Sequence, residues 1–165
     1  MRIPLRAIVI AFILMPFESA ADAVTIPLAE HGASTLYVEV DVDGVGPRQF
    51  LVDTGSSYSS IGTDTLDALE ARGMATFVRR VGATMADGSR RYVPIYSIDG
   101  LTVGARCRLE DIKVAVLPGR DRPILGVNVL RRLAPITFSM DPPALGPGRC
   151  REDAVEDERT ASADH

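Results

Sequence analysis

The chain has 165 residues and a formal net charge of −4, with 18 Lys and Arg residues against 22 Asp and Glu residues. This length predicts one domain with a single core, and an acidic balance without a dense basic stripe argues against a nucleic-acid partner. The two histidines, His31 and His165, lack metal-ligand spacing to any partner, so no metal or other cofactor is expected.

The first segment is typical of a secretory signal. Arg2 and Arg6 flank a short charged start, an apolar run covers 7–17, and Ala-Asp-Ala at 21–23 matches a cleavage pattern. The apolar run is shorter than the roughly 18 residues that span a bilayer, which disfavours the alternative of a permanent anchor. A core helix is the other alternative. We therefore expect export to the periplasm or outside the cell, removal of 1–23, and no stable membrane span afterwards.

The first predicted elements form a β-hairpin. Apolar and polar residues alternate over 36–42, which indicates a half-buried strand. Turn-forming residues at 43–47 are followed by a return strand at 49–52. Next, Thr63 is expected to cap a short helix that Gly73 ends.

A second hairpin is predicted over 78–98, with Asp87-Gly88 at its turn. The remaining elements are expected in chain order: strands at 101–103 and 112–117, a loop at 118–123, a short helix at 127–133 and a strand at 136–140. Many short strands and only two brief helices predict an all-β fold, either a sandwich or a barrel.

The domain is expected to cover 24–141. The segment 142–165 is rich in Pro, Gly and charge, and it has too few apolar groups to offset its ordering entropy, which predicts a disordered tail. Cys107 and Cys150 could form one disulfide in an oxidising compartment, although two separate thiols remain an alternative.

The chemically informative segment is Asp53-Thr54-Gly55, which follows the apolar residues 50–52 and precedes Ser56. A purely structural interpretation is an Asx turn, which is common at strand ends. However, an acid directly after three apolar residues is drawn toward the core and needs compensating partners. This setting favours a functional carboxylate.

These features resemble the retropepsin-like, retroviral-type aspartic peptidases, in particular their exported single-domain bacterial members. Residues 51–55 match the hydrophobic-hydrophobic-Asp-Thr-Gly motif of that family, and the 78–98 hairpin matches its flap. The second family motif, two hydrophobic residues and a Gly before a short helix, is matched by Ile124, Leu125 and Gly126. The resemblance covers about 35–141 and implies a single-lobe closed barrel with one or two short helices.

The resemblance also implies residue roles. Asp53 would be the catalytic carboxylate of an aspartic endopeptidase that cleaves peptides or proteins. Thr54 would hydrogen-bond across two active-site loops, Gly55 would bring its amide close to the carboxylate, and Ser56 would bond the outer oxygen. The flap residues over the cleft would be Met85, Ala86, Asp87 and Gly88; an ordinary hairpin with a half-buried Met is the alternative.

One Asp-Thr-Gly supplies half of the expected chemistry. Two carboxylates share one proton in an aspartic peptidase, because like charges so close cannot both ionise. The chain carries a single copy of the motif and no internal repeat, so the resemblance implies a homodimer with Asp53 from each subunit. The Pro-rich chain end differs from that of the viral enzymes, so the dimer is expected to be weaker or built differently. The alternatives are a non-catalytic binding module on the same fold and an exported hydrolase of another type.

Overall fold

The computed structural model describes residues 24–32, 35–85, 87–119 and 122–150. The predicted signal segment 1–23 and residues 151–165 of the predicted tail therefore lie outside the described residues. The described strands and helices follow in chain order: β1 (Ile26–Pro27), β2 (Ala29–His31), β3 (Thr35–Val42), β4 (Gly46–Val52), β5 (Ser59–Ile61), α1 (Thr63–Glu70), β6 (Ala75–Thr84), β7 (Arg90–Val103), β8 (Cys107–Val116), β9 (Ile124–Leu125), α2 (Val127–Leu133), β10 (Ile136–Met140) and β11 (Pro143–Pro147).

The strands form two sheets. The larger has the order β2-β3-β4-β9-β5-β8-β7-β6, and an additional pairing of β3 with β7 closes six of its strands into a ring. The smaller sheet has the order β1-β11-β10. The predicted all-β class with two short helices is confirmed. No helix in the described ranges is long and apolar enough to cross a membrane.

The core combines side chains from the ring of strands with apolar side chains of both helices and of the smaller sheet. The contribution of β3 follows from its alternation. Val38, Val40 and Val42 are fully buried, whereas Glu39 and Asp41 between them are exposed. Full burial of a Val side chain contributes roughly 1.5–3 kcal/mol. The predicted second hairpin is also present as β6 and β7, whose ladder extends from Ala75↔Ile98 to Thr84↔Arg90.

The first helix begins one residue earlier than its predicted cap implies. Gly62, in extended backbone, occupies the N-cap position, and Thr63 is already the first helical residue. The backbone carbonyl of Gly62 accepts a hydrogen bond from the Leu66 amide at 3.2 Å. The predicted end is close, because Gly73 lies in the turn after the helix with a φ of +70°.

The prediction of a disordered tail from residue 142 is wrong for 142–150. β11 pairs along its whole length with β10 and, through Ala144 and Leu145, with β1. Leu145 is fully buried, so this segment completes the smaller sheet around an apolar anchor. Pro143 and Pro147 stand at the two ends of β11, where a missing amide donor disturbs the ladder least. The folded part of the described chain therefore continues past residue 141 and includes Cys150.

Candidate active site

Two parallel strands bring the two sequence motifs together. β4 pairs with β9, with Leu51 opposite Ile124 and Val52 opposite Leu125. Asp53 follows β4 directly, and its amide donates a hydrogen bond to the Leu125 carbonyl at 3.1 Å. The Asp53 loop and the beginning of α2 therefore lie side by side at the ends of adjacent strands.

The Asp53 carboxylate is half-buried, and each of its oxygens accepts a hydrogen bond. The Gly55 amide donates to Oδ1 at 2.8 Å, and the Ser56 hydroxyl donates to Oδ2 at 2.7 Å. The Gly55 contact is an Asx turn, which occurs with structural and catalytic aspartates alike. The Ser56 contact adds a donor for the second oxygen, so the carboxylate is fixed in orientation at the edge of a cleft that it lines.

Close backbone approach explains both glycines of the motifs. A Cβ at Gly55 would lie 3.1 Å from Oδ1 of Asp53, which is tighter than ordinary contact. A Cβ at Gly126 would lie 2.5 Å from the carbonyl carbon and oxygen of Tyr58. A side chain at Gly126 would therefore push the second motif away from the active-site loop.

The beginning of α2 holds the active-site loop through hydrogen bonds to the loop backbone. The amide of Val127 donates to the Ser56 carbonyl at 2.8 Å, and the amide of Asn128 donates to the Ser57 carbonyl at 3.2 Å. The Asn128 side chain adds three contacts: its Oδ1 accepts from the amide and hydroxyl of Ser59 at 2.7 and 3.0 Å, and its Nδ2 donates to the Lys113 carbonyl at 2.7 Å. Asn128 thus ties α2 to β5 and β8 beneath the site. Its role was missed at the sequence level, where an amide side chain two residues after Gly126 is the only available signal.

A cleft runs between the Asp53 loop and the hairpin of β6 and β7. Asp53 is the single acidic side chain among the described residues that line it. Met85 lines the cleft from the hairpin, together with residues 81–84 of β6. The hairpin and the Asp53 loop therefore line the same cleft. The cleft is also lined by residues that sequence reasoning did not single out: Tyr58, Ser60, Val93, Ala115 and Leu117.

The tip of the hairpin is a tight turn. Gly88 has a φ of +79°, which favours glycine, and its amide donates to the Met85 carbonyl at 2.9 Å. The hydroxyl and amide of Ser89 both donate to Oδ1 of Asp87, at 2.6 and 2.9 Å. These hydrogen bonds, the hydroxyl first, hold the pKa of Asp87 below its ordinary value. Ala86, the remaining predicted flap residue, lies outside the described residues.

The other predicted residues are placed as follows. Thr54 is exposed at the tip of the active-site loop, so its hydroxyl is accessible to a second molecule. Cys107 and Cys150 form a disulfide that joins the end of the described chain to β8, away from the cleft. Across the described ranges, no group of three or more His, Cys, Asp or Glu side chains could hold a metal ion.

Comparison with known proteins agrees with this geometry. The sequence model of the aspartyl protease family matches residues 38–129, which include both motifs and the hairpin between them. The chain therefore belongs to the aspartyl protease family. Its fold is similar to that of a retropepsin-like aspartic protease from Rickettsia conorii, with a TM-score of 0.55 and 19% identity over 75% of this chain and 89% of that chain. No curated protein matches the chain significantly.

Proposed function

We propose that this protein is an aspartic endopeptidase that works as a homodimer and uses Asp53 of each subunit. The observation that carries the proposal is the Asp53 carboxylate, fixed by the Gly55 amide and the Ser56 hydroxyl and facing a cleft under a hairpin flap. Membership of the aspartyl protease family supports peptides or proteins as the substrate class.

The reaction needs two carboxylates that hold one proton between them. The ionised Asp53 takes a proton from a water molecule as the water oxygen bonds to the peptide carbonyl carbon. The neutral Asp53 of the partner subunit gives its proton to the carbonyl oxygen, which forms a tetrahedral diol. The carboxyl group that took the water proton then gives it to the amide nitrogen, and the other carboxylate takes a proton from one diol hydroxyl. The C–N bond breaks, and a carboxylic acid and an amine are released. The two pKa values of this reaction belong to the pair of carboxyl groups.

The requirement for a second copy rests on the composition of the cleft. Asp53 is the single acid that lines it among the described residues, so one chain supplies half of the dyad. The exposed Thr54 lies next to Asp53, where it could bond the same loop of a second subunit. An isologous two-fold interface would bring the two Asp53 side chains together on its axis, and likewise the two Thr54 side chains.

The smaller sheet offers a surface for this contact. β10 is an edge strand of the described part of the chain, and its residues 137–140 are all exposed. Phe138 and Met140 are 42% and 63% exposed, which is unusual for large apolar side chains on an unpaired edge. We infer that this edge contributes to the subunit interface.

We also propose that the protein acts outside the cytoplasm. The signal-like sequence at 1–23 motivates this, and the disulfide between Cys107 and Cys150 is consistent with an oxidising compartment.

The first experiment measures cleavage of denatured casein at mildly acidic pH. We expect cleavage that a pepstatin-type inhibitor blocks and that Asp53→Asn reduces to background, because the amide cannot accept the proton from water. Ser97→Ala, which changes a serine that does not line the cleft, is the matched control and should keep full activity. Unchanged cleavage by Asp53→Asn would exclude the catalytic assignment, and a folded wild-type protein that binds peptides without cleaving them would identify a binding module.

A mixing experiment tests the shared active site. Wild-type protein and Asp53→Asn protein are mixed in equal amounts at a fixed total concentration and allowed to exchange subunits. If both carboxylates are needed, activity falls to about one quarter of the pure wild-type value, because only that fraction of random dimers carries two aspartates. A value of about one half would show that each subunit works by itself.

A further inference from the structure

One side chain in the cleft is buried, polar and without a partner. Ser60 is 3% exposed, and its hydroxyl is the single buried side-chain polar atom in the described ranges that has no hydrogen-bond partner. Leaving such a group unpaired is costly, so buried hydroxyls normally bond to protein or water. The neighbouring Ser59 shows the usual case: its hydroxyl accepts from the Gly126 amide at 3.0 Å and contacts Oδ1 of Asn128 at 3.0 Å.

Sheet register places the Ser60 side chain on the cleft face. Ser60 pairs with Ile124 on β9 and with Ala115 on β8, and Ile124 pairs with Leu51 on β4. Residues directly opposite each other in a sheet share a face, so these four side chains form one row across four strands. All four line the same cleft as Asp53. The row is apolar except for the Ser60 hydroxyl.

We propose that Ser60 is a specificity-determining residue, whose hydroxyl selects a substrate side chain that combines a small apolar part with a neutral hydrogen-bonding group, threonine above all. The inference rests on the proposed peptidase function and deepens it. The methyl group of threonine would pack against Leu51 and Ile124, and its hydroxyl would pair with Ser60. Valine has the same shape but would leave the Ser60 hydroxyl unpaired.

Charged side chains fit this row poorly. Three of its four members are apolar, so a charge would be desolvated without an ionic partner. An acidic side chain would in addition approach the Asp53 carboxylate, which lines the same cleft. In a homodimer the row occurs twice, which predicts the same preference at one position on each side of the cleaved bond.

The test uses a defined mixture of synthetic peptides that share one cleavage site. At each position around this site, one peptide carries threonine and a matched peptide carries valine. Cleavage products are quantified by mass spectrometry for the wild type, Ser60→Ala, Ser60→Thr and the control Ser97→Ala. We expect at least one position at which the threonine-to-valine ratio of kcat/KM falls about threefold to tenfold in Ser60→Ala, the range expected for one neutral hydrogen bond. Ser60→Thr, which keeps the hydroxyl, and Ser97→Ala should keep the ratio.

A second arm separates this inference from the proposed function. The same peptides are captured by immobilised Asp53→Asn protein, with and without Ser60→Ala, and the retained peptides are quantified. Suppose that capture shows a Ser60-dependent preference for threonine but the wild type cleaves none of the peptides. This result would overturn the proposed peptidase function and support the proposed role of Ser60 in selectivity. Threonine-to-valine ratios that Ser60→Ala leaves unchanged in both arms would overturn the role of Ser60.

Discussion

Replacing Gly126 with alanine puts a methyl group against the backbone of the active-site loop. The added Cβ would lie 2.5 Å from the carbonyl carbon and oxygen of Tyr58 and 2.8 Å from the carbonyl oxygen of Ser56. Backbone atoms cannot move aside by a change of rotamer. To reach the 3.4 Å at which ordinary contact begins, the loop and α2 must separate by about 0.9 Å.

This separation weakens the hydrogen bonds that hold the loop. The bond from the Val127 amide to the Ser56 carbonyl would lengthen from 2.8 Å to about 3.7 Å, beyond hydrogen-bonding range. The bond from Asn128 to Ser57 begins at 3.2 Å and would also be lost. Each costs about 1 kcal/mol and the overpacking costs about 1–3 kcal/mol, so Gly126→Ala should lower the free energy of unfolding by about 3–5 kcal/mol.

Urea denaturation monitored by circular dichroism measures this loss, and casein cleavage measures the displacement of Asp53. For the unfolding measurement the matched control is Gly82→Ala in β6, where an added Cβ meets nothing within 4 Å and φ is ordinary. That variant should be neutral or up to about 1 kcal/mol more stable. If the free energy of unfolding of Gly126→Ala lies within about 1 kcal/mol of the wild-type value and the variant retains full activity, close backbone approach is not the reason for a glycine at position 126.

Three further predictions concern the interface, the flap and the disulfide. Met140→Asp should weaken the dimer and lower activity at dilute concentration, because it places a charge in the proposed edge contact. Sedimentation velocity measures this, and the control is Val78→Asp on β6, an edge strand of the larger sheet, which should remain dimeric. Ser89→Ala should raise the pKa of Asp87 toward its ordinary value, because the Ser89 hydroxyl is the first cause of the lowered pKa; carboxyl NMR titration measures this. In the wild type, the ionised Asp87 stabilises the turn at pH values above its ordinary pKa. This contribution is lost as the pH falls through the lowered pKa. Cys150→Ser should lower the free energy of unfolding by about 2–4 kcal/mol, because the disulfide closes a loop with a sequence separation of 43, and an unchanged urea midpoint would contradict this.

Local patterns in the sequence were sufficient for the elements that lead to the site. The alternation over 36–42, the turn at Asp87-Gly88 and the apolar runs before Asp53 and Gly126 are all properties of neighbouring residues. The strands and hairpin that they predict are present in the structure as β3, β4, and the hairpin of β6 and β7. Each of these elements has a side-chain period or turn chemistry that can be recognised over a short window.

The short edge elements could not be predicted in this way. β1 has two residues, β2 has three, and β11 is flanked by prolines, so none has a detectable period. β11 is ordered because Leu145 is buried between strands from both ends of the domain and because the disulfide of Cys150 follows it. β10 directly precedes β11, but β1 and Cys107 lie far away in the chain, so composition alone wrongly indicated disorder for this segment.

The candidate site divides in the same manner. The sequence by itself determined that an acid follows an apolar strand and enters a glycine turn, and that two further apolar residues precede another glycine and a short helix. Only the tertiary structure decided that these two apolar segments pair in parallel, that Asn128 supports the loop, and that Ser60 faces the cleft while Ser59 faces the core. Adjacent serines in a strand point to opposite faces, and which face becomes the cleft depends on pairing between strands that are distant in sequence.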